Sequence, residues 1–321
     1  MAEILLSLTI IGVVAAITLP SLTGNINERT WNTQRKALYA RFSQAIALMP
    51  SLNGYGTLRE ETDSAGSTSI EDTAAETFVT AGLSKVLKIN NICDSEHLHD
   101  CGLPEKITTL ASENISFPLT LSQLNPKNID AVVDWVSIGG TFNPTYETID
   151  SKAAGIETSN GESIAVYYNP TCTKLAYTTY YMSQNYMCAN FIYDLNGTKG
   201  PNTFGKDLGI ITAFYPTDSE VVAPDLAVQD AVSSIAADDI GSVCKKQDDS
   251  YRMPSQLELA SMFTNKNIIG NMDEERYWSS SLSTSGSGGR YSANHWYINY
   301  SLGIFNSDTN LDNMAVRCVK R

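Results

Sequence analysis

An apolar stretch at the amino terminus constrains this chain more than any other feature of its sequence. Residues 4–19 carry no charged side chain, and the single acidic residue before them is Glu3. As a helix rising about 1.5 Å per residue, this stretch nearly spans the hydrocarbon core of a bilayer. A carboxylate at the mouth of a membrane helix is costly unless a partner pairs with it. The sequence therefore predicts a membrane-embedded helix over residues 1–24, with Glu3 kept for a partner.

The order of residues in this helix is informative, from Ala2-Glu3-Ile4 through the apolar segment 10–16 to the closing Pro20. It resembles the start of a mature type IV pilin or pseudopilin helix. The resemblance implies that Glu3 pairs with the amino terminus of a neighbouring subunit, and that Pro20 bends or loosens the helix by removing a backbone donor. The family's basic leader and mature phenylalanine do not stand before Ala2, so the sequence carries no argument about processing. An ordinary signal peptide, disfavoured because no basic residue precedes the apolar run, and a plain membrane anchor are the alternatives.

Charge and motif content exclude several function classes. The net charge is −13, with 35 acidic and 22 basic side chains and no cluster of lysine and arginine. A phosphate-binding face therefore lacks electrostatic support, and we expect no nucleic-acid partner. The sequence contains no nucleophile elbow, phosphate loop or His-Glu-x-x-His motif, and His295 is the one histidine outside residues 93–101. We therefore expect that the protein is not an enzyme.

The sequence after Pro20 has apolar residues at the spacing of an amphipathic helix. Apolar residues recur there at intervals of seven, four, three and four, at Trp31, Leu38, Phe42, Ala45 and Met49. This spacing predicts the amphipathic half of the amino-terminal helix, ended by Pro50 and Gly54. A short helix is expected between residues 74 and 88.

Strands are expected in the second half of the pilin-like region. Runs of β-branched and aromatic residues predict strands at 163–169, 174–181 and 208–214, with a turn at Asn169-Pro170-Thr171. The segment from Cys188 to Asp207 predicts a strand that enters a glycine-rich loop. It resembles a stretch common in the heads of bacterial pilin-like proteins, and the pilin resemblance covers roughly residues 1–215.

The same glycine-rich loop offers oxygen ligands. Asp194, Asn196 and Asp207 suit a Ca²⁺ ion, although the loop lacks the spacing of an EF-hand. A turn that caps a hairpin explains the asparagine and glycine residues equally well. Calcium is therefore a possible cofactor, and both interpretations stay open.

A second module follows a junction at residues 216–228. Its sequence predicts a helix at 229–237 and a capping box, with Ser255 at the N-cap and Glu258 three residues later. Three motifs then follow in order, namely Arg252-x-Pro254-Ser255, Tyr277-Trp278-Ser279-Ser280 and Val316-Arg317-Cys318-Val319. They resemble a C-type-lectin-like fold over roughly residues 240–321, in the group that includes the ligand-binding ends of bacterial adhesins. Formylglycine-generating enzymes share this fold, but their chemistry needs reactive cysteines and the two in this module look structural.

Six cysteines indicate disulfides, because an export-type amino terminus favours an oxidising compartment. Fifteen pairings are possible, and domain organisation suggests Cys93–Cys101, Cys172–Cys188 and Cys244–Cys318. In a C-type-lectin-like fold the last strand returns beside the first, which would bring Cys318 to Cys244. The histidines at 97 and 99 allow an alternative zinc site with Cys93 and Cys101, although their spacing is awkward for tetrahedral ligands.

Residues 290–313 have the composition of a binding surface. They are rich in tyrosine, which gives rigid contact area, and in serine and asparagine, which give adaptable hydrogen bonds. Adenine-targeted mutation of asparagine codons would leave the same enrichment, so the module resembles the variable proteins of diversity-generating retroelements. A polar surface without hypervariability is the alternative, and a binding role fits both. The resemblance implies a ligand-binding set made of Tyr291, Asn294, His295, Tyr297, Asn299, Tyr300, Asn306, Asp308, Asn310, Asp312 and Asn313.

Together these features predict an α+β protein. A long helix, first hydrophobic and then amphipathic, would carry a pilin-like β head and precede a C-type-lectin-like α+β domain. The expected boundaries are 1–24 for the membrane and filament-core helix, 25–215 for the amphipathic helix and head, 216–228 for a linker, and 229–321 for the ligand-binding domain.

The expected function is that of a surface filament subunit used in adhesion or ligand binding. Its partners would be other pilin subunits, the membrane and an external protein or glycan. The chain would first be a single-pass protein of the inner membrane and later part of an extracellular pilus. The alternative is a structural minor pseudopilin of a secretion or DNA-uptake system, without ligand binding.

Overall fold

A computed structural model describes the chain at residues 27–49, 74–118, 153–174, 186–215, 221–222, 232–235, 243–245, 249–270, 272, 276–283, 294–299, 304–308 and 314–320. At several strand positions, among them most of residues 294–299 and all of residues 304–308, only the backbone is described. Glu3, Pro20 and the apolar stretch between them lie outside the described residues. Among the helices that are described, none is both long enough and apolar enough to cross a bilayer.

Helix α1 covers residues 27–48. The chain divides into two compact units, Met1–Ala40 and Arg41–Arg321, and the boundary falls within this helix. Leu38 is buried in the first unit, and Phe42, Ala45 and Met49 are buried in the second. The helical spacing read from the sequence is therefore confirmed, whereas Pro50 and Gly54, which were expected to end the helix, lie outside the described residues.

A second helical segment lies in the larger unit and packs on its first sheet. It consists of α2 (Ala74–Thr77), a π-helical turn (Phe78–Leu83) and α3 (Ser84–Val86), where a short helix was predicted. The ring of Phe78 stacks on Tyr168 with centroids 4.1 Å apart, and Phe42 meets Phe191 edge-on at 4.9 Å. Aromatic contacts therefore join both helices to the sheet that carries Tyr168 and Phe191.

That first sheet is antiparallel, with strand order β1-β4-β5-β6-β7-β8. A separate two-stranded ribbon pairs β2 with β3. The strands are β1 (Ile89–Cys93), β2 (Lys106–Thr108), β3 (Asn114–Ser116), β4 (Ala154–Thr158), β5 (Ser163–Lys174), β6 (Tyr186–Asp194), β7 (Leu208–Tyr215) and β8 (Val221–Val222).

The turn predicted at residues 169–171 is wrong. Strand β5 runs through this segment, and its register against β6 shifts between Tyr168 and Thr173. A register irregularity of this kind accommodates Pro170, which has no N–H to donate to a regular ladder.

A second sheet forms from the carboxy-terminal part of the chain, with strand order β13-β12-β11-β14-β9. Strand β11 runs parallel to β14, and the other pairs are antiparallel. A short ribbon pairs β10 with β15. The elements are β9 (Val232–Ile235), β10 (Tyr251–Arg252), α4 (Gln256–Thr264), α5 (Lys266–Ile269), β11 (Arg276–Ser283), β12 (Asn294–Asn299), β13 (Ile304–Asp308), β14 (Met314–Val316) and β15 (Val319–Lys320).

The helix predicted at 229–237 is also wrong, because its described part is strand β9. Val232 and Ile235 lie opposite Val316 and Met314 of β14 in the antiparallel register. β-branched residues favour a strand when a partner is available, and here the partner lies some 80 residues away in the sequence.

Helix α4 is the centre of the core. All nine of its residues are buried, so it is enclosed on every side instead of presenting one apolar face. One hydrophobic cluster contains Leu259 and Phe263 of α4 together with Ile192 and Phe214 of the first sheet and Tyr277 of the second. Within the larger unit, residues of both predicted domains therefore share a core. Of the predicted linker at 216–228, only β8 is described, and the domain boundaries stay a prediction.

Two predicted disulfides are confirmed. Cys93 is bonded to Cys101, and Cys244 to Cys318. Cys188 is also disulfide-bonded, but the side chain of Cys172 lies outside the described residues, so the third pairing stays a prediction. With its mixture of helices and largely antiparallel sheets, the fold is α+β as expected.

Candidate functional site

Two regions of the structure carry chemistry that the sequence singled out. One is the edge of the second sheet, where β12 and β13 contain part of the ligand-binding set. The other is the loop from β6 to β7, which contains the predicted calcium ligands.

The ligand-binding set is only partly described. Tyr291, Tyr300, Asn310, Asp312 and Asn313 lie outside the described residues. In the β12–β13 ladder, Asn306 lies opposite Tyr297, and Asp308 lies opposite His295. Asn299 lies opposite Ile304, and Asn294 lies opposite Ser283 of β11. The register therefore brings six predicted residues onto two adjacent strands, of which β13 is the outermost strand that the structure describes in this sheet.

Tyr297 and His295 lie beside a buried tryptophan. The ring of Trp278 meets Tyr297 edge-on at a centroid distance of 5.8 Å and His295 at 6.4 Å. Tyr297 is only 9% exposed, and His295 is half-buried with its Nδ1 atom 3.2 Å from the carbonyl oxygen of Ser279. Most of the Tyr297 side chain is therefore covered by the protein.

An ion pair holds the start of helix α4. The guanidinium of Arg252 donates two hydrogen bonds to the Glu258 carboxylate, at 2.7 and 2.6 Å. Glu258 also accepts the backbone N–H of Ser255 at 2.7 Å, while the Ser255 hydroxyl accepts the N–H of Glu258, which completes the predicted capping box. Burial alone would raise the pKa of Glu258, but the hydrogen bonds from Arg252 and Ser255 outweigh it and lower the pKa.

The loop after β6 is held by two buried carboxylates. Oδ1 of Asp194 accepts the backbone N–H of Asn196 at 3.0 Å. The two oxygens of Asp207 accept the N–H groups of Asn202 and Thr203, each at 2.8 Å. Both aspartates have no exposed surface. The predicted ligands Asp194, Asn196 and Asp207 therefore belong to one closed loop.

Three oxygen atoms of this loop are buried without a hydrogen-bond partner. They are Oδ2 of Asp194, Oδ1 of Asn196 and Oδ1 of Asn202. Burial raises the pKa of the Asp194 carboxyl and the neighbouring Asp207 carboxylate adds to the rise, so that against opposing hydrogen bonds from the N–H groups of Asn196 and Gly197 the pKa is about 7. Asn202 was not among the predicted ligands. One signal in the sequence is the position of Asn202 directly after Pro201. The backbone of Asn202 is left-handed, with a φ of 50°, and asparagine tolerates this conformation better than most residues do.

The cysteine–histidine loop at residues 93–101 does not offer a zinc site. Its two cysteines are bonded to each other, so neither supplies a thiolate. His97 pairs instead with Asp94 at 2.8 Å, and Nδ1 of His99 lies 2.8 Å from the carbonyl oxygen of Leu103. In the described part of the chain, no three His, Cys, Asp or Glu residues cluster as metal ligands.

Comparison with known proteins adds no relative. No protein-family model matches the sequence, and no curated protein or solved structure matches it significantly.

Proposed function

We propose that this protein is a pilin-like subunit of a surface filament, and that its C-type-lectin-like carboxy-terminal domain binds an external ligand. The subunit would be anchored in the inner membrane by its hydrophobic amino-terminal helix and then assembled with other subunits into an extracellular pilus. The observation that carries the lectin-like half of the proposal is the convergence of three sequence motifs.

Those motifs contact one another through the backbone. The carbonyl oxygen of Pro254 accepts the N–H of Ser280 at 2.8 Å, which joins the helix-start motif to the Tyr-Trp-Ser-Ser strand. Arg252 pairs with Val319 in the β10–β15 ribbon, which joins the helix-start motif to the terminal motif. The Cys244–Cys318 bond ties the same ends together. The first and last segments of this region are therefore joined by a strand pair and by a disulfide bond, which supports a lectin-like module. In such a module the strands between the motifs would be available to bind a ligand.

The edge position of β13 supports the binding role. Strand β13 is the outermost of the described strands of the second sheet, and residues 294–308 contain Asn, His, Tyr and Asp at seven positions of the ligand-binding set. A surface rich in tyrosine and asparagine offers rigid contact area and adaptable hydrogen bonds. The external ligand would therefore be a protein or a glycan.

The amino-terminal half of the proposal rests on order along the chain. Helix α1 follows the apolar stretch 4–19 and, from Phe42 onward, packs on an antiparallel sheet. A hydrophobic helix that becomes amphipathic and carries a β head is the arrangement that the pilin resemblance implies. The bond between Cys93 and Cys101 fits an oxidising, extracytoplasmic compartment.

A binding experiment tests the ligand-binding role. Full-length protein in detergent micelles would be applied to a glycan array and to intact cells, beside the variants Asn306→Ala and Asn160→Ala. Asn160 is an exposed residue in the β4–β5 turn and serves as the matched control. We expect the wild type and Asn160→Ala to bind alike and Asn306→Ala to bind several-fold more weakly.

The burial of Tyr297 favours one alternative, a structural pseudopilin without ligand binding, because a covered side chain offers little surface to a ligand. In that case no variant would bind any glycan or cell. Equal binding by Asn306→Ala and the wild type would place the ligand elsewhere and overturn the assignment of this edge.

A further inference from the structure

We propose that the loop joining β6 to β7 is a calcium site, in which the free oxygens of Asp194, Asn196 and Asn202 bind the ion. Asp207 positions the loop and contributes a second negative charge. This inference stands independently of the filament function, because it rests on the contacts of residues 194–207 alone.

The first step concerns the buried oxygen atoms of the loop that have no hydrogen-bond partner. Buried oxygen atoms in native proteins are nearly always hydrogen-bonded, so an unpartnered one needs a reason. Here three such atoms occur within nine residues, on Asp194, Asn196 and Asn202. A cation that takes all three as ligands accounts for them together.

The orientation of the Asn196 amide supports this choice of atoms. Its Nδ2 donates to the carbonyl oxygen of Gly200 at 2.9 Å, which fixes which end of the amide is nitrogen. The oxygen is therefore the end left free. In Asp194 the division is similar, because Oδ1 accepts the N–H of Asn196 and Oδ2 has no partner.

The second step is the charge of the loop. Asp194 and Asp207 are both fully buried, and in the described part of the chain no lysine, arginine or histidine pairs with either carboxylate. Two neighbouring buried carboxylates repel each other and lose their hydration, and both effects are unfavourable. A cation bound between them would offset both, so this pair favours cation binding.

The third step is the identity of the cation. All the free ligand atoms are carboxylate or amide oxygens, whereas zinc and copper prefer sites with nitrogen or sulfur. Ca²⁺ accepts carboxylate and asparagine oxygens in flexible geometry, while Mg²⁺ demands a near-ideal octahedron and keeps several waters. A loop that supplies one free carboxylate oxygen and two amide oxygens therefore suits calcium.

The experiment uses purified full-length protein in detergent micelles, stripped of metal with a chelator and then titrated with CaCl₂ or MgCl₂. Calorimetry measures binding, and thermal unfolding measures the rise in Tm. We expect calcium to bind and to raise Tm more than magnesium does at the same concentration.

Two substitutions make the test specific. Asp194→Asn keeps the shape of the side chain and removes its charge, so we expect calcium affinity to fall about tenfold or more, while Tm without calcium rises because the buried repulsion is relieved. Asp100→Asn makes the same change at an exposed aspartate and should respond to calcium as the wild type does. If Asp194→Asn does not fold, Asn202→Gly removes a ligand and tolerates the left-handed backbone at that position.

The proposal is overturned if wild-type protein shows neither heat of binding nor a rise in Tm with calcium, which would mean that water satisfies the three oxygens. It is also overturned if Asp194→Asn or Asn202→Gly responds to calcium as strongly as the wild type. An equal response to magnesium and calcium would contradict the choice of ion.

Discussion

Four buried polar residues form a hydrogen-bond network between the first sheet and helix α4. Asn190 and Thr212 lie on adjacent strands of the sheet, and Ser261 and Asn265 lie on and just after the helix. The Asn190 amide donates to Oδ1 of Asn265 at 2.6 Å, and the Thr212 and Ser261 hydroxyls are 2.6 Å apart. The Thr212 hydroxyl also donates to Oδ1 of Asn190 at 2.9 Å. Because every member has a partner, the network fixes how the two elements meet without leaving unsatisfied groups.

We predict that Asn190→Ala costs about 2–4 kcal/mol of unfolding free energy, since it removes the donor to the buried Oδ1 of Asn265 and the acceptor of the Thr212 hydroxyl. Urea unfolding followed by circular dichroism measures this. Asn160→Ala, at an exposed turn, is the control and should change stability by less than about 0.5 kcal/mol. A similar small loss in both variants would show that the network does not contribute to stability.

The Arg252–Glu258 pair predicts a pH dependence. The pKa of Glu258 is lower in the folded protein than its ordinary value of 4.5, so the ionised form is favoured by folding. This stability is complete above the ordinary pKa and is lost as the pH falls through the lowered folded value. We expect wild-type protein to be more stable than Glu258→Gln at neutral pH, with the difference shrinking below pH 4.5.

The check on this prediction is urea unfolding of both proteins from neutral to acidic pH. Glu105→Gln, an exposed glutamate, provides the background pH dependence of the fold. A stability difference for Glu258→Gln that stays constant into the acid range would mean that the carboxylate charge does not matter.

At the scale of elements, the sequence predicted what local signals determine. Helix α1 and the capping box of α4 depend on residues within one or two helical turns, and both predictions are confirmed. Strand β9 depends on a partner some 80 residues away, and the continuation of β5 through Pro170 depends on its pairing with β6; in both places local propensity pointed the wrong way. Tertiary pairing decides such segments.

The candidate calcium loop shows the same division. The residue types and the glycine-rich turn pointed to Asp194, Asn196 and Asp207 as oxygen ligands. The sequence did not reveal that both oxygens of Asp207 are taken by backbone N–H groups, or that Asn202 offers a free oxygen in its place. Which atoms stay free depends on the folded path of the loop, and residue types do not determine it.

The two described disulfides close loops of different length, and we therefore expect them to stabilise the protein by different amounts. The Cys244–Cys318 bond closes 74 residues and the Cys93–Cys101 bond closes 8. By loop entropy, removing the first with paired alanines should cost about 4 kcal/mol, and removing the second about 2.5 kcal/mol.

Urea unfolding of the two double-alanine variants, each compared with the wild type, measures this difference. The prediction fails if the variant that lacks Cys93–Cys101 is destabilised as much as, or more than, the variant that lacks Cys244–Cys318.

For the larger unit, Arg41–Arg321, the shared core has a consequence for cooperativity. Helix α4 is buried on all sides, and its cluster includes residues of both sheets. We therefore predict that residues 41–321 unfold in a single transition, while a fragment of residues 229–321 lacks much of the cover of α4 and binds a hydrophobic dye.

Differential scanning calorimetry of residues 41–321, together with dye binding by the fragment, checks this prediction. Two separate transitions, or a fragment with a sharp transition of its own and no dye binding, would show that the carboxy-terminal region folds independently.

For the whole molecule, the central claim is that one end assembles in a filament while the other binds a ligand. Immunogold electron microscopy of cells that produce the full-length chain, with antibodies against residues 229–321, tests this most directly. The account predicts gold on surface filaments, and loss of that label when Glu3→Ala removes the carboxylate that pairs with a neighbouring subunit. Gold confined to the cell interior, or filaments labelled equally in the Glu3→Ala variant, would contradict it.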